Sequence, residues 1–123
     1  MWLTCQAYRE LLSLEFWLLR KNFPAIHDKV RNTRVPQSPR GGVTPDHVSR
    51  AVDFAGALYF KPILCLQRSA AAVCLLKKCG YPAVMVIGVQ QLPFAAHAWV
   101  ELGGLVVGDK PYVNEIYSEL CRC

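Results

Sequence analysis

The apolar positions of this 123-residue chain follow a helical period first and a strand period later. Residues 4–21 have apolar side chains at roughly helical spacing, which predicts a first helix with a broad face that must be buried. The segment 22–43 holds three prolines and two glycines, which predict a long loop instead of one continuous element. A second helix is expected to begin after Thr44, which can cap it, and to end before Pro62.

The next segment, residues 65–79, predicts a third helix that is buried nearly all round, because its middle carries no charge. Gly80 is a natural stop for this helix. Three strand-like segments come next, at residues 83–89, 96–102 and 105–109. The first is apolar on both faces, as a central strand would be, and Gly103-Gly104 between the other two predicts a hairpin.

The last apolar stripe, residues 113–120, fits a short helix. Helices followed by an antiparallel sheet predict an α+β fold, with the N-terminal helices packed on a small sheet. We expect a single compact domain overall, in which residues 1–43 supply a helix and a basic connector and residues 44–123 form the core.

Composition excludes several classes of protein. With 53% apolar residues the chain is not expected to be disordered, and it has no uncharged apolar run of about 18 residues that would predict a membrane span. No secretory signal is recognised, so we expect a cytoplasmic protein whose six cysteines are free thiols. The cysteine spacing supports zinc only weakly, and we expect neither a metal nor a cofactor.

The net charge of +5 is concentrated in residues 20–50, which hold seven basic and two acidic residues. This segment is interpreted either as a docking surface for an acidic peptide or partner, or as a solvated connector, and the sequence favours neither. Nucleic-acid binding is disfavoured because aromatic residues are not interleaved with the charges.

Three residues in these elements have the types and positions of a catalytic triad. Cys65 opens the third predicted helix, where unpaired amides and the helix dipole favour a thiolate, and its own amide could bind an oxyanion. His97 lies on a strand that could hold it rigidly as the base, and Asp109 ends the next strand and would orient the imidazole. Such a set is typical of cysteine hydrolases and acyl transferases. His27 and His47 are weaker candidates for the base.

The hairpin sets a geometric condition on this triad. A plain two-residue turn at Gly103-Gly104 would place Asp109 opposite Ala98, on the side away from His97. One more loop residue would bring Asp109 diagonal to His97, at a backbone separation that the side chains of Asp109 and His97 can bridge. We therefore predict a three-residue loop or a bulge; with a plain turn, Glu101 would compete as the orienting acid.

Residues near the triad are candidates for substrate binding. Ala95 and Ala96 are small and leave room for a substrate chain beside His97. Trp99 shares a strand face with His97 and would form a pocket wall. Arg68, on the cysteine helix, is a further candidate.

Two runs, CLQRSAAAVCLLKKCGYPAVMVIGV and PFAAHAWVELGGLVVGD, resemble the leader peptidases of bacterial lasso-peptide biosynthesis, which belong to the transglutaminase-like branch of papain-type folds. The matching positions, in chain order, are Cys65, Arg68-Ser69, Gly80-Tyr81-Pro82-Ala83, His97-Ala98-Trp99-Val100-Glu101 and Asp109. The resemblance covers about residues 48–112 and is loose before them, where only an apolar helix and a basic stretch match.

The resemblance implies a cysteine endopeptidase that cuts a ribosomally made precursor peptide between leader and core with a Cys-His-Asp triad. It also implies a separate small leader-recognition protein as a partner, and the macrolactam cyclase as a further one. The candidates for such docking are Arg31 and Arg34 in the basic segment and Trp17 on the first helix.

Two other functions stay open from the residues alone. An acyl transferase on the same triad would pass the acyl group to an amine instead of water, and nothing in the triad separates the two outcomes. A non-catalytic peptide-binding module could keep the fold, although the intact Cys, His and Asp argue against it.

Overall fold

The computed structural model describes residues 2–20, 23–35, 43–60, 63–91, 94–109 and 111–123. Within them the chain forms, in order, α1 (Trp2–Leu19), α2 (Phe23–Asn32), α3 (Pro45–Leu58), α4 (Cys65–Lys78), β1 (Val84–Gln91), β2 (Phe94–Leu102), β3 (Leu105–Val107), α5 (Val113–Ile116) and β4 (Ser118–Arg122). The strands make one antiparallel sheet in the order β3-β2-β1-β4, which confirms the predicted α+β fold. No helix in these ranges is both long enough and apolar enough to cross a membrane.

The core lies between the helices and the sheet. Helix α4 supplies its centre, and every residue from Ser69 to Leu76 is buried, as their lack of charge predicted. Helix α1 contributes Ala7, Leu11 and Leu14, all fully buried, and packs against α3 and α4. Full burial of each leucine contributes about 1.5–3 kcal/mol, so α1 is held in the same core as the cysteine helix.

The start of α3 follows the prediction. The Thr44 hydroxyl accepts a hydrogen bond from the His47 backbone N–H at 3.1 Å, and the Thr44 N–H donates to His47 Nδ1 at 3.4 Å. This reciprocal cap stabilises the helix by about 1 kcal/mol. The His47 ring is therefore engaged in the cap.

The long loop predicted for residues 22–43 is wrong in its first part, where α2 forms. Pro24 lies in the first turn of α2, where a backbone N–H is not needed. Ile26 and Val30, one turn apart, are fully buried in the core. Lys77 of α4 donates to the Val30 carbonyl at 2.6 Å and holds the end of α2. The last part of the predicted connector lies mostly outside the described ranges.

The helix predicted over residues 113–120 is also wrong beyond its first turn. Helix α5 ends at Ile116, and β4 then pairs antiparallel with β1, where Met85 and Cys123 exchange backbone hydrogen bonds of 2.7 and 2.9 Å. This pairing leaves β1 hydrogen-bonded on both sides, in the central place predicted for it. The tertiary pairing therefore overrides the local helical periodicity.

An ion-pair cluster joins α1 to the neighbouring helices. Glu10 of α1 pairs with Lys29 of α2 at 3.0 Å and with Lys78 at the end of α4. Burial by itself would raise the pKa of Glu10, but the hydrogen bonds from Lys78 and Lys29 outweigh it and lower the pKa.

A second polar cluster fixes the beginning of α4. Gln67, two residues after Cys65, is almost fully buried and donates to the Leu11 carbonyl at 2.9 Å. Tyr59 donates to the Glu15 carboxylate at 3.0 Å, and burial together with this bond raises the pKa of Tyr59 to about 12. Because these bonds run to α1, the first turn of α4 has a defined place on the helical layer.

Candidate active site

Cys65 is the first residue of α4 and an exposed free thiol. The helix cap is Leu64, which has an extended backbone and makes no side-chain hydrogen bond to the first turn. The first amides of α4 therefore lack a capping side chain from this residue, and the positive end of the helix dipole lies at the turn that begins with Cys65. Cys74 and Cys79 are buried in the core instead, and burial raises the pKa of Cys74.

His97 and Asp109 are in direct contact. His97 Nε2 lies 2.6 Å from Asp109 Oδ2, and the two side chains are 26% and 23% exposed. A carboxylate accepts, so Nε2 carries a hydrogen in this contact, and in the neutral ring Nδ1 is then the nitrogen that can accept a proton from another group. The Asp109 carboxylate is thus placed to hold the His97 imidazole in one orientation.

The predicted register of the hairpin is wrong, although the contact between His97 and Asp109 that this register was meant to allow is present. Gly103 and Gly104 form a plain two-residue turn, with φ of 61° and 82°, and Leu102 pairs with Leu105. Strand β3 then ends at Val107, and Gly108, with φ of 72°, turns the chain out of the strand. The left-handed residue, rather than a longer loop, brings the next side chain to His97.

Glu101, the competing acid expected for a plain turn, is engaged elsewhere. Its carboxylate accepts a hydrogen bond from Trp99 Nε1 at 2.9 Å and lies 3.5 Å from the Arg122 guanidinium. The Trp99 ring is 2% exposed and lies 6.2 Å from the His97 ring, centroid to centroid. Trp99 therefore supports His97 from the interior.

Tyr117 is a site residue that the sequence analysis missed. Its ring lies 5.4 Å from that of His97 and 6.2 Å from that of Trp99. The sequence places Tyr117 in a helical stripe, and nothing in that stripe points to the site. Only the pairing of β4 with β1 puts it there.

Two hydrogen bonds link the cysteine helix to the His–Asp pair. Ser69 Oγ, buried, donates to the carbonyl of Ala98 at 3.0 Å, and Arg68 Nη2 donates to the carbonyl of Gly108 at 2.8 Å. These carbonyls belong to the residues next to His97 and next to Asp109. Cys65 and Ser69 are four residues apart, so they lie on one face of α4. Among the described residues the Cys65 sulfur makes no hydrogen bond to His97, so the approach of the thiol to the imidazole stays a prediction.

The residues expected to bind substrate have different surroundings. Ala95 and Ala96 immediately precede His97 on β2, and Ala96 is exposed. Arg68 is hydrogen-bonded to the Gly108 carbonyl and Trp99 to the Glu101 carboxylate. Their contact with a substrate stays a prediction.

The residues expected to bind a partner lie on α1 and at the end of α2. Trp17 is partly buried against the core, and the Phe16 ring packs edge-on against it. Arg31 and Arg34 are exposed. His27, the other weak candidate for the base, lies 3.6 Å from the Cys121 sulfur. Among the described residues no three His, Cys, Asp or Glu side chains group in a way that could hold a metal ion.

Comparisons with known proteins agree with the resemblance drawn from the sequence. The family model described as "Transglutaminase-like superfamily" matches residues 10–122. The Microcin J25-processing protein McjB of Escherichia coli is 41% identical over 58 residues, which are 47% of this chain and 28% of that protein. Most of that relative therefore lies outside the match. No solved structure gives a significant match.

Proposed function

The chain belongs to the transglutaminase-like superfamily, and from this premise we propose that it is a cysteine peptidase that removes the leader from a lasso-peptide precursor. The observation that carries the proposal is the 2.6 Å contact between His97 and Asp109. The helix that begins with Cys65 binds the residues next to both of them. Similarity to a protein that processes microcin J25 supports a precursor peptide as the substrate class.

In the proposed reaction His97 Nδ1 takes the proton of the Cys65 thiol, and the sulfur attacks the carbonyl carbon at the leader–core junction. The uncapped amides at the start of α4 stabilise the oxyanion that forms. The imidazolium then gives its proton to the leaving amine of the core, and a water molecule activated by His97 releases the leader acid from the thioester. Asp109 holds the imidazole and stabilises its cation throughout. A bound substrate would draw thiol and imidazole together, because catalytic hydrogen bonds often tighten only in the complex.

The edge of β2 offers a place for the substrate backbone. Strand β3 pairs with β2 only from Val100 to Leu102, so within the described ranges the stretch from Phe94 to Ala96 has no strand on that side. An extended peptide can add to such an edge by main-chain hydrogen bonds, with specificity left to side-chain pockets. The small side chains of Ala95 and Ala96 would let it approach His97.

The proposal includes a separate leader-recognition partner that docks on α1 and α2, with the cyclase acting next on the freed core. Support comes from large apolar side chains that α1 leaves exposed near Trp17, among them Phe16 at 49% and Leu19 at 73%. Arg31 and Arg34 add positive charge at the end of α2, which would favour an acidic partner surface or leader.

The test is incubation of a candidate precursor with the wild type and with Cys65→Ala, followed by mass spectrometry, with and without the recognition protein. Cys5→Ala is the matched control, because Cys5 is also an exposed free thiol but lies on α1. We expect a free leader acid from the wild type and from Cys5→Ala, and a loss of several orders of magnitude in Cys65→Ala. A leader with an added amine would indicate acyl transfer instead. Cleavage by Cys65→Ala at the wild-type rate would refute the proposed triad.

A further inference from the structure

The direction of the Asp109 side chain depends on the backbone of one residue, Gly108. With the plain hairpin turn, a straight continuation of β3 would put position 109 opposite Ala98, on the side away from His97. The chain avoids this because β3 ends and Gly108 adopts a φ of 72°. A glycine permits that conformation but does not impose it, so other residues must hold it.

Two side chains from the helical layer hold Gly108. Arg68 Nη2 donates to its carbonyl at 2.8 Å. Ser49 of α3 packs against its Cα so closely that an added Cβ would lie 2.3 Å from the Ser49 hydroxyl and 3.2 Å from Arg68 Nη2. Gly108 is thus confined between an arginine on α4 and a serine on α3.

The Arg68 side chain is itself fixed. Its Nε donates to Asp53 Oδ1 at 2.7 Å, and its Nη2 lies 2.7 Å from the same oxygen. A guanidinium presents donors in a rigid planar fork, so it can bind a carboxylate and a backbone carbonyl at the same time. The Arg68 side chain is 25% exposed and that of Asp53 is 53% exposed, so this pair lies at the surface and holds Arg68 by its geometry.

Arg68 lies three residues after Cys65, on the helix turn that carries the thiol, and the adjacent Ser69 binds the carbonyl next to His97. We propose that Arg68 is a positioning residue, which fixes Gly108 and thereby aims Asp109 at His97. This inference rests on the proposed function, and it assigns Arg68 to the geometry of the triad instead of to contact with the substrate.

The first test compares Arg68→Ala with Arg50→Ala, which also removes an arginine paired with an aspartate, Asp46, but on the exposed face of α3. We expect kcat to fall by about 10- to 100-fold in Arg68→Ala, the size typical of a group that orients a functional side chain, with KM little changed. Arg68→Lys should recover only part of the loss, since an ammonium cannot bridge both partners in the same plane. Arg50→Ala should match the wild type.

A double-mutant cycle with Asp109→Asn separates positioning from general stability. If Arg68 acts through Asp109, Arg68→Ala should cost little further activity in the Asp109→Asn background. An undiminished loss there would overturn the inference. Should Arg68→Ala fail to fold, Asp53→Asn tests the same clamp, because it removes the charged partner of Arg68 and keeps the shape.

Proton NMR of the His97 ring gives a readout that needs no substrate. The Nε2 proton held by Asp109 should be lost or shifted in Arg68→Ala and unchanged in Arg50→Ala. An unchanged resonance in Arg68→Ala would overturn the inference. If the wild type cleaves no precursor and this proton still responds to Arg68, the proposed function fails and the positioning role stands.

Discussion

Gly88 is where a single added methyl group should disturb the support of His97. Gly88 pairs with His97 across β1 and β2, and a Cβ there would lie 2.7 Å from Trp99 Cη2, 2.8 Å from Trp99 Cζ3 and 2.9 Å from Tyr117 Cβ. Carbon atoms in contact normally stay about 3.5–4.0 Å apart, so the Trp99 ring must withdraw by roughly 1 Å. The ring is buried against Val86, which leaves it little room.

We therefore expect Gly88→Ala to lower the free energy of unfolding by about 1–3 kcal/mol, the usual cost of overpacking a core. Urea denaturation would measure it. Gly103→Ala is the control, because Gly103 has a φ of 61° but nothing within 4 Å of an added Cβ. It should cost about 1–2 kcal/mol of backbone strain and leave the His97 ring resonances unchanged, whereas Gly88→Ala should shift them.

The origin of the Gly88→Ala effect can be tested by shortening the ring it meets. Trp99→Phe removes the Cη2 and Cζ3 atoms, so Gly88→Ala should cost at least about 1 kcal/mol less in that background than in the wild type. Equal costs in the two backgrounds would show that the clash with Trp99 is not the cause, and would refute the packing argument for this side of the site.

Two further predictions concern charged residues. The pKa of Glu10 is lowered in the folded protein, so its ion pairs stabilise the fold fully above pH 4.5, the ordinary pKa, and this contribution is lost as the pH falls through the folded pKa. The difference in unfolding free energy between wild type and Glu10→Gln should therefore shrink as the pH falls below the folded pKa. A constant difference from pH 6 to about pH 3 would contradict this prediction. Reversing the charge at Arg31 and Arg34 should weaken binding of the leader or the recognition partner in calorimetry, while Arg122→Glu on β4 should not, and unchanged binding in the double variant would remove the docking proposal.

Local chemistry in the sequence was enough to predict the elements that begin and end with strong signals. Thr44 caps α3 as predicted, and the uncharged run after Cys65 is buried as predicted. The hairpin at Gly103-Gly104 was recognised as well, because two adjacent glycines favour a turn with two positive φ angles. Each of these features depends on neighbours within a few residues, which a sequence displays directly.

The features that the sequence did not reveal depend on partners far along the chain. Pro24 was interpreted as a break, yet it opens α2 because Ile26 and Val30 find places in the core. Tyr117 reaches the site because β4 joins the free edge of β1. Helical and strand periods compete over so short a segment, and only the sheet edge decides between them.

The spacing of three residues on α4 connects these observations. Cys65, Arg68 and Ser69 stand at the first, fourth and fifth positions of the helix, so one face carries the thiol, the donor to Gly108 and the donor to Ala98. One residue inserted before Arg68 would turn the thiol by about 100° relative to both anchors, because a helix has 3.6 residues per turn. The spacing of these three positions must therefore be kept, since the turn that presents the sulfur also binds Ala98, next to the imidazole on β2, and Gly108, next to the carboxylate that follows β3.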